Sequence, residues 1–113
     1  MKKLFILLII SSCTRNFSTV EKVEKERFKQ LIKNDYVLID VRTPEEFFRG
    51  HIENALNLDF NSPEFNSQIT KLNKEKIFLI YCSAGGRSTK ASSLMESLGF
   101  KKVYELKGGY RNW

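Results

Sequence analysis

The chain has 113 residues, 42% of them hydrophobic and 28% charged, and carries a formal net charge of +6. Such a length provides for one hydrophobic core and not two, and the composition is that of an ordinary soluble domain. The lysines Lys71, Lys74, Lys76, Lys101, Lys102 and Lys107 are scattered and not interleaved with aromatics, which argues for a solvated surface and against nucleic-acid binding.

The first nineteen residues stand apart from that core. Met1-Lys2-Lys3 is a positive start, Leu4 to Ile10 is an apolar run of seven, and small residues precede Cys13. Seven residues span only about 10 Å as a helix, too short for a transmembrane anchor. The segment resembles a bacterial lipoprotein signal peptide, with Ile10-Ser11-Ser12-Cys13 as the lipobox. The resemblance implies cleavage before Cys13 and a lipid on its sulfur, hence a signal peptide at 1–12, a lipidated tether at 13–19, and a folded domain over 20–113. The protein is then expected in the bacterial cell envelope, held by lipid at the periplasmic or extracytoplasmic face of a membrane. Without Lys2 and Lys3 the 19 basic residues become 17 against 13 acidic, or +4. With Cys13 capped, Cys82 is the single thiol, which removes an internal disulfide, a resolving cysteine and a thiolate zinc site from consideration.

From Val20 to Lys33 charges crowd around Val23, Phe28, Leu31 and Ile32, and the pattern predicts a charged helix with one apolar side. Tyr36 to Val41 reads as a buried strand. At Thr43-Pro44-Glu45-Glu46 an N-cap, a proline at N1 and a capping-box glutamate at N3 predict a short helix to about Arg49, stopped by Gly50. Ala55 to Leu58 is a second strand candidate, and Ser62-Pro63-Glu64 predicts another helix running to Asn73. Ile77 to Tyr81 is the third strand. Ser88 then caps a helix whose apolar face is Ala91, Leu94, Met95 and Leu98, and Gly99 ends it. Val103 to Leu106 is a fourth strand, followed by the turn Gly108-Gly109. Short apolar strands alternating with capped helices predict an α/β fold, a mostly parallel sheet of four to five strands with helices on both faces.

The stretch Ile80-Tyr81-Cys82-Ser83-Ala84-Gly85-Gly86-Arg87-Ser88 places a cysteine where a buried strand stops, before a glycine-bearing loop and a helix. Only a thiolate is a good nucleophile, so reactivity at neutral pH needs a lowered pKa. Loop amides, the positive end of the following helix and the Arg87 charge all act in that direction. Gly85 and Gly86 give the backbone the freedom to turn successive N–H groups inward. The alternative is an inert strand-end cysteine beside a flexible turn.

These residues resemble a single-domain rhodanese, and the likeness runs from about Val37 to Trp113. Leu38-Ile39-Asp40-Val41-Arg42-Thr43-Pro44-Glu45-Glu46-Phe47 is similar to the family's first block, and Gly50-His51-Ile52 with Ala55-Leu56-Asn57-Leu58 to its second. Cys82 to Ser88 resembles the active-site loop, and Leu106-Lys107-Gly108-Gly109 with Trp113 the closing block. Asn54 departs from the glycine usual before the alanine, which concerns a turn and not the chemistry. The resemblance implies a rhodanese-like fold and a sulfurtransferase. In it Cys82 takes the outer sulfur of thiosulfate or a similar small anionic donor and passes it from a persulfide to cyanide or a thiol. Ser83, Ala84, Gly85, Gly86, Arg87 and Ser88 are its expected substrate cradle, and no cofactor or metal is expected.

Four residues separate Cys82 from Arg87. Cysteine phosphatases and arsenate reductases place one more there, so this ring of amides is tighter and suits one sulfur better than a tetrahedral oxyanion. A non-catalytic rhodanese-like module that docks a partner or anion is the other competing reading. Asp40 and Arg42, at the end of a strand where α/β sheets place their sites, are expected to support the site, by positioning the loop or as a structural ion pair. His51 is open to a general-base role or a structural hydrogen bond. Trp113, Phe47, Phe60, Phe65 and Phe78 read as core or rim.

Overall fold

Five parallel strands form the centre of the computed structural model, which describes residues 18–113. The expected signal peptide at 1–12 and the lipidation site at Cys13 lie outside the described residues. The elements run β1 (Val20–Val23), α1 (Lys25–Ile32), β2 (Val37–Asp40), α2 (Pro44–Arg49), β3 (Leu56–Asn57), α3 (Phe65–Thr70), β4 (Ile77–Tyr81), α4 (Gly86–Ser97), β5 (Lys102–Leu106) and a terminal 3-10 turn, Tyr110–Asn112. The sheet order is β1-β5-β4-β2-β3, with every pairing parallel. This is the expected α/β architecture.

Strand alternation divides the core between two faces. Phe78, Ile80 and Cys82 of β4 and its end join Ile39, Val41 and Val103 on the face covered by Phe65 and Ile69 of α3 and Ala91 and Met95 of α4. Leu79 and Tyr81 point the other way, with Leu38 and Leu106, towards Phe28 of α1, Ile52, Tyr110 and Trp113. Burial on both sides explains why the central strands are almost wholly apolar. From β2 the chain steps outward to β3 and then returns across β2 to β4. The loops after β2 and β4 therefore diverge, and a crevice opens at their C-terminal ends, where open α/β sheets take their ligands.

Three local expectations are corrected. Val20–Val23 is the edge strand β1 and not the start of a helix: the Thr19 carbonyl accepts from Val103 N–H at 2.8 Å, and Val23 O from Lys107 N–H at 2.9 Å. Its charged residues are those of a protected edge, with Glu21 paired to Arg27 and Lys102, and the helix begins at Lys25. The third helix begins at Phe65 and not at Pro63, because Ser62 spends its cap on a turn, its Oγ accepting from Glu64 N–H and its carbonyl from Phe65 N–H. Ser88 lies inside α4, whose N-cap is Gly85. In contrast, Thr43 and Glu46 form the expected reciprocal capping box at the start of α2. Asn54, where the glycine was expected, has φ 68°. Asparagine is the residue that best tolerates this conformation after glycine, which accounts for the departure.

Phe28 is fully buried and meets the edge of Trp113 at 5.9 Å between ring centroids, sealing α1 to the sheet. Phe28→Ala is expected to lower unfolding free energy by about 3–5 kcal/mol, as for other buried aromatics. Urea unfolding measures it, and a loss below about 1 kcal/mol would show that the α1 contact is not part of the cooperative core.

Candidate active site

Cys82 immediately follows β4, and its side chain is 1% exposed. The loop beneath it is fixed from below by the C-terminal segment. Tyr110 N–H donates to Cys82 O at 2.7 Å and Arg111 N–H to Ser83 O at 3.0 Å. A trans peptide points its N–H opposite its carbonyl, so anchoring the Ser83 carbonyl aims the Ala84 N–H back towards the sulfur. Gly85 N–H reaches Sγ at 3.0 Å, from a backbone with φ 115° that only glycine holds without strain. Gly109 permits this docking. A Cβ there would lie 2.5 Å from the Ser83 carbonyl and 2.6 Å from that of Cys82.

Burial acts to raise the Cys82 thiol, but the Ser88 hydroxyl and N–H and the N–H groups of Gly85 and Ala84 outweigh it. The net shift is downward, favouring the thiolate. Ser88 Oγ lies 3.4 Å from Sγ and 2.9 Å from Glu105 Oε1. In the thiol form S–H donates to Ser88 and the hydroxyl donates to Glu105; in the thiolate form the hydroxyl proton turns to the sulfur. Glu105, on β5 beneath α4, is 1% exposed and also accepts from Thr89 Oγ at 2.6 Å. The sequence reading did not single it out, and its only signal was an acidic residue inside an apolar strand.

Arg87 is engaged by a carboxylate. The hydrogen bond and charge of Glu46 raise its pKa and the Cys82 charge adds to them, so the expected charge interaction with the sulfur is present beside the ion pair. Its guanidinium forms a fork with the Glu46 carboxylate, at 2.6 and 2.9 Å, and also donates to Ser83 Oγ at 3.2 Å. Ser83 Oγ donates in turn to Glu46 Oε2 at 2.6 Å. Arg87 above all, with Ser83 and the Thr43 N–H, holds the Glu46 carboxyl far below the usual carboxylate range against its partial burial. In the sequence Glu46 carries only the signal of a helix cap. No local pattern links it to a residue 41 positions away.

Asp40 and Arg42 meet as a buried pair. Arg42 N–H and Nε donate to Asp40 Oδ1 at 2.9 and 3.0 Å, and Nη2 donates to Oδ2 and to Gly50 O, both at 2.7 Å. Burial works to lower the Arg42 pKa, and the bond and charge of Asp40 more than reverse it. The Arg42 guanidinium lies 4.3 Å from the centroid of the Tyr110 ring, and Tyr110 N–H holds the Cys82 carbonyl, so the pair braces the loop from behind. Burial and then Asp40 push the Tyr81 phenol well above its ordinary value, and its oxygen accepts from Ile52 N–H at 3.0 Å. His51 is exposed, stacks on Phe47 at 3.6 Å between centroids, and places Nδ1 2.8 Å from Phe47 O. That is the geometry of a structural hydrogen bond. The described residues thus gather Ala84, Gly85 and Ser88 around the Cys82 sulfur, with Asp40 and Arg42 as support and Ser83 and Arg87 in a triangle with Glu46.

Comparison with known proteins gives a consistent result. The rhodanese-like domain family matches residues 24–113. "Thiosulfate sulfurtransferase 18" of Arabidopsis thaliana is 36% identical over 116 residues, covering 92% of this chain and 85% of the plant protein. A tRNA uridine(34) hydroxylase of Pelagibacter ubique is 37% identical over 93 residues, 80% of this chain, and the chain spans only 31% of that enzyme's length. Among solved structures, a rhodanese-related protein of Thermoplasma volcanium has a TM-score of 0.73 at 27% identity, covering 82% of this chain and 89% of that one.

Removing the Ser88 hydroxyl in Ser88→Ala takes a hydrogen bond from the thiolate, a contact worth about 1.5–3 kcal/mol. The Cys82 pKa is expected to rise, so less thiolate is present at pH 7 and iodoacetamide alkylation slows by about tenfold. A pH–rate profile that does not move to higher pH would show that the hydroxyl does not stabilise the thiolate. Gly109→Ala is expected to displace the loop and lower stability by about 1–3 kcal/mol, with slower alkylation read alongside the thermal melt.

Proposed function

Because the chain belongs to the rhodanese-like family, we propose that it is a sulfurtransferase that carries sulfane sulfur as a Cys82 persulfide. The observation that carries this reading is the buried Cys82 Sγ facing the Gly85 N–H at 3.0 Å, with its pKa lowered by loop amides and the Ser88 hydroxyl. In the first half-reaction the thiolate attacks the outer sulfur of thiosulfate or a similar donor. A bond forms between Sγ and that sulfur, the donor's S–S bond breaks, and its electron pair leaves with sulfite. In the second, cyanide or a thiolate attacks the outer sulfur of the persulfide and Cys82 departs as thiolate.

The loop amides stabilise negative charge on Sγ and then on the persulfide. Ser88 follows the same charge, its hydroxyl donating to Sγ when the sulfur is charged and to Glu105 when Sγ is neutral. Ping-pong kinetics follow from one sulfur serving both steps. A cradle built around the thiolate argues against a purely docking module. The four residues between Cys82 and Arg87 favour sulfur over phosphate or arsenate. The pattern ending at Cys13 supports a lipid anchor placing this domain on the extracytoplasmic face of a bacterial membrane.

Mass spectrometry after thiosulfate treatment is expected to show a gain of ~32 Da, one sulfur, absent from Cys82→Ser. No adduct and no turnover with any sulfane donor would refute the proposal. For the anchor, Cys13→Ser is expected to leave the membrane fraction on cell fractionation, and its retention there would refute the tether.

A further inference from the structure

Rhodanese-type transfer from thiosulfate brings a dianion to a thiolate, and the loop's one arginine is the group placed to offset that repulsion. Here its charge is already met. Arg87 is held by both oxygens of Glu46, and Ser83 closes the triangle by donating to Glu46 and accepting from Arg87. Glu46 is fixed in place in its turn, since Oε1 also accepts from the Thr43 N–H and hydroxyl at 3.3 and 3.1 Å as half of the α2 capping box. Of the other arginines beside the loop, Arg42 is committed to Asp40, and Arg111 meets the loop through its backbone N–H. A carboxylate from another element therefore covers the loop cation while the nucleophile is held by neutral N–H and O–H donors.

We propose that Glu46 is a specificity-determining residue: by covering Arg87 it tunes the site towards sulfane donors with one negative charge, such as thiosulfonates or persulfides of organic thiols, and away from small dianions. The inference rests on the sulfurtransferase reading and narrows its donor class. An ion pair presents an incoming anion with a weak dipolar field, whereas a lone guanidinium presents a full charge. Uncovering Arg87 therefore helps a dianion twice as much, in free energy, as it helps a monoanion. Lys22, Lys90 and Lys107, the last paired with Glu24, line a cleft of about 420 Å³ against Ala84, Gly85 and Gly86. They attract anions generally and are the same in every variant compared.

Glu46→Gln removes the charge, and glutamine at N3 still completes a capping box, so α2 keeps its start. Glu46→Ala is a second variant without that hydrogen bonding, and both are checked for a cooperative thermal transition. The donors are thiosulfate, a dianion, and benzenethiosulfonate, a monoanion with the same sulfane sulfur on a sulfonyl group. In each case Cys82 gains the outer sulfur, and sulfite or the sulfinate leaves with the electron pair. Both variants are expected to raise kcat/KM for thiosulfate by about tenfold and for benzenethiosulfonate by about threefold, the square-root relation that a single uncovered charge dictates. Equal changes for the two donors, as general loosening of the loop would give, or a fall for thiosulfate, would overturn the proposal. A binding arm separates this outcome from failure of the sulfurtransferase reading. Thiosulfate titrated calorimetrically into Cys82→Ser and Cys82→Ser/Glu46→Gln proteins is expected to bind the double variant about tenfold more tightly. Equal affinities there overturn the role of Glu46, whatever the wild-type enzyme transfers.

Discussion

The geometry of the site depends on two backbone hydrogen bonds made far from it in sequence. Tyr110 and Arg111 hold the carbonyls of Cys82 and Ser83 from below, and a planar peptide then has no choice over where the next N–H points. Anchored carbonyls orient the first N–H groups of the cradle, and the Gly85 N–H and the Ser88 hydroxyl complete it. Everything near the C-terminal turn supports this anchoring. Gly109 lets the backbones approach, Arg42 lies against the Tyr110 ring, and Asp40 holds Arg42. The Asp40–Arg42 pair is 0% and 5% exposed at its side chains. Burying two charges is costly, and the pair persists because each carboxylate oxygen and most guanidinium donors are matched.

A second theme is the separation of charge from the nucleophile. The thiolate is favoured by N–H dipoles and one hydroxyl, while formal charges are sorted into pairs around it: Arg42 with Asp40, and Arg87 with Glu46. Glu105 is the exception, a buried carboxylate whose partners Ser88 and Thr89 are hydroxyls. Its position ties the protonation of the sulfur to the orientation of Ser88. Under the proposed transfer, dipoles fixed in the backbone would require no rearrangement as charge moves from Sγ to the outer sulfur of a persulfide.

Local signals were read well where they arise from short-range physics. The Thr43–Glu46 capping box, the strand Ile77–Tyr81 and the αβ alternation all follow from rotamer, capping and burial preferences of neighbours. They were misread where a distant partner decides. Val20–Val23 has helix-like charge density and becomes a strand because the free edge of β5 is there to pair with. Ser88 has the composition of an N-cap, yet Gly85 takes that place, because its positive φ turns the chain into the helix early.

By itself the sequence determined the α/β class, the strand-loop-helix setting of Cys82 and the four-residue spacing to Arg87 on which the proposed preference for sulfur rests. Each of these is written in contiguous residues. Tertiary structure alone decided that Arg87 is answered by Glu46, that Ser88 bridges Cys82 to Glu105, and that Arg42 braces the loop through Tyr110. These relations join residues brought together by parallel crossovers. In a parallel sheet the chain must leave and return between neighbouring strands, so groups that share a site at the strand ends come from separate stretches of sequence.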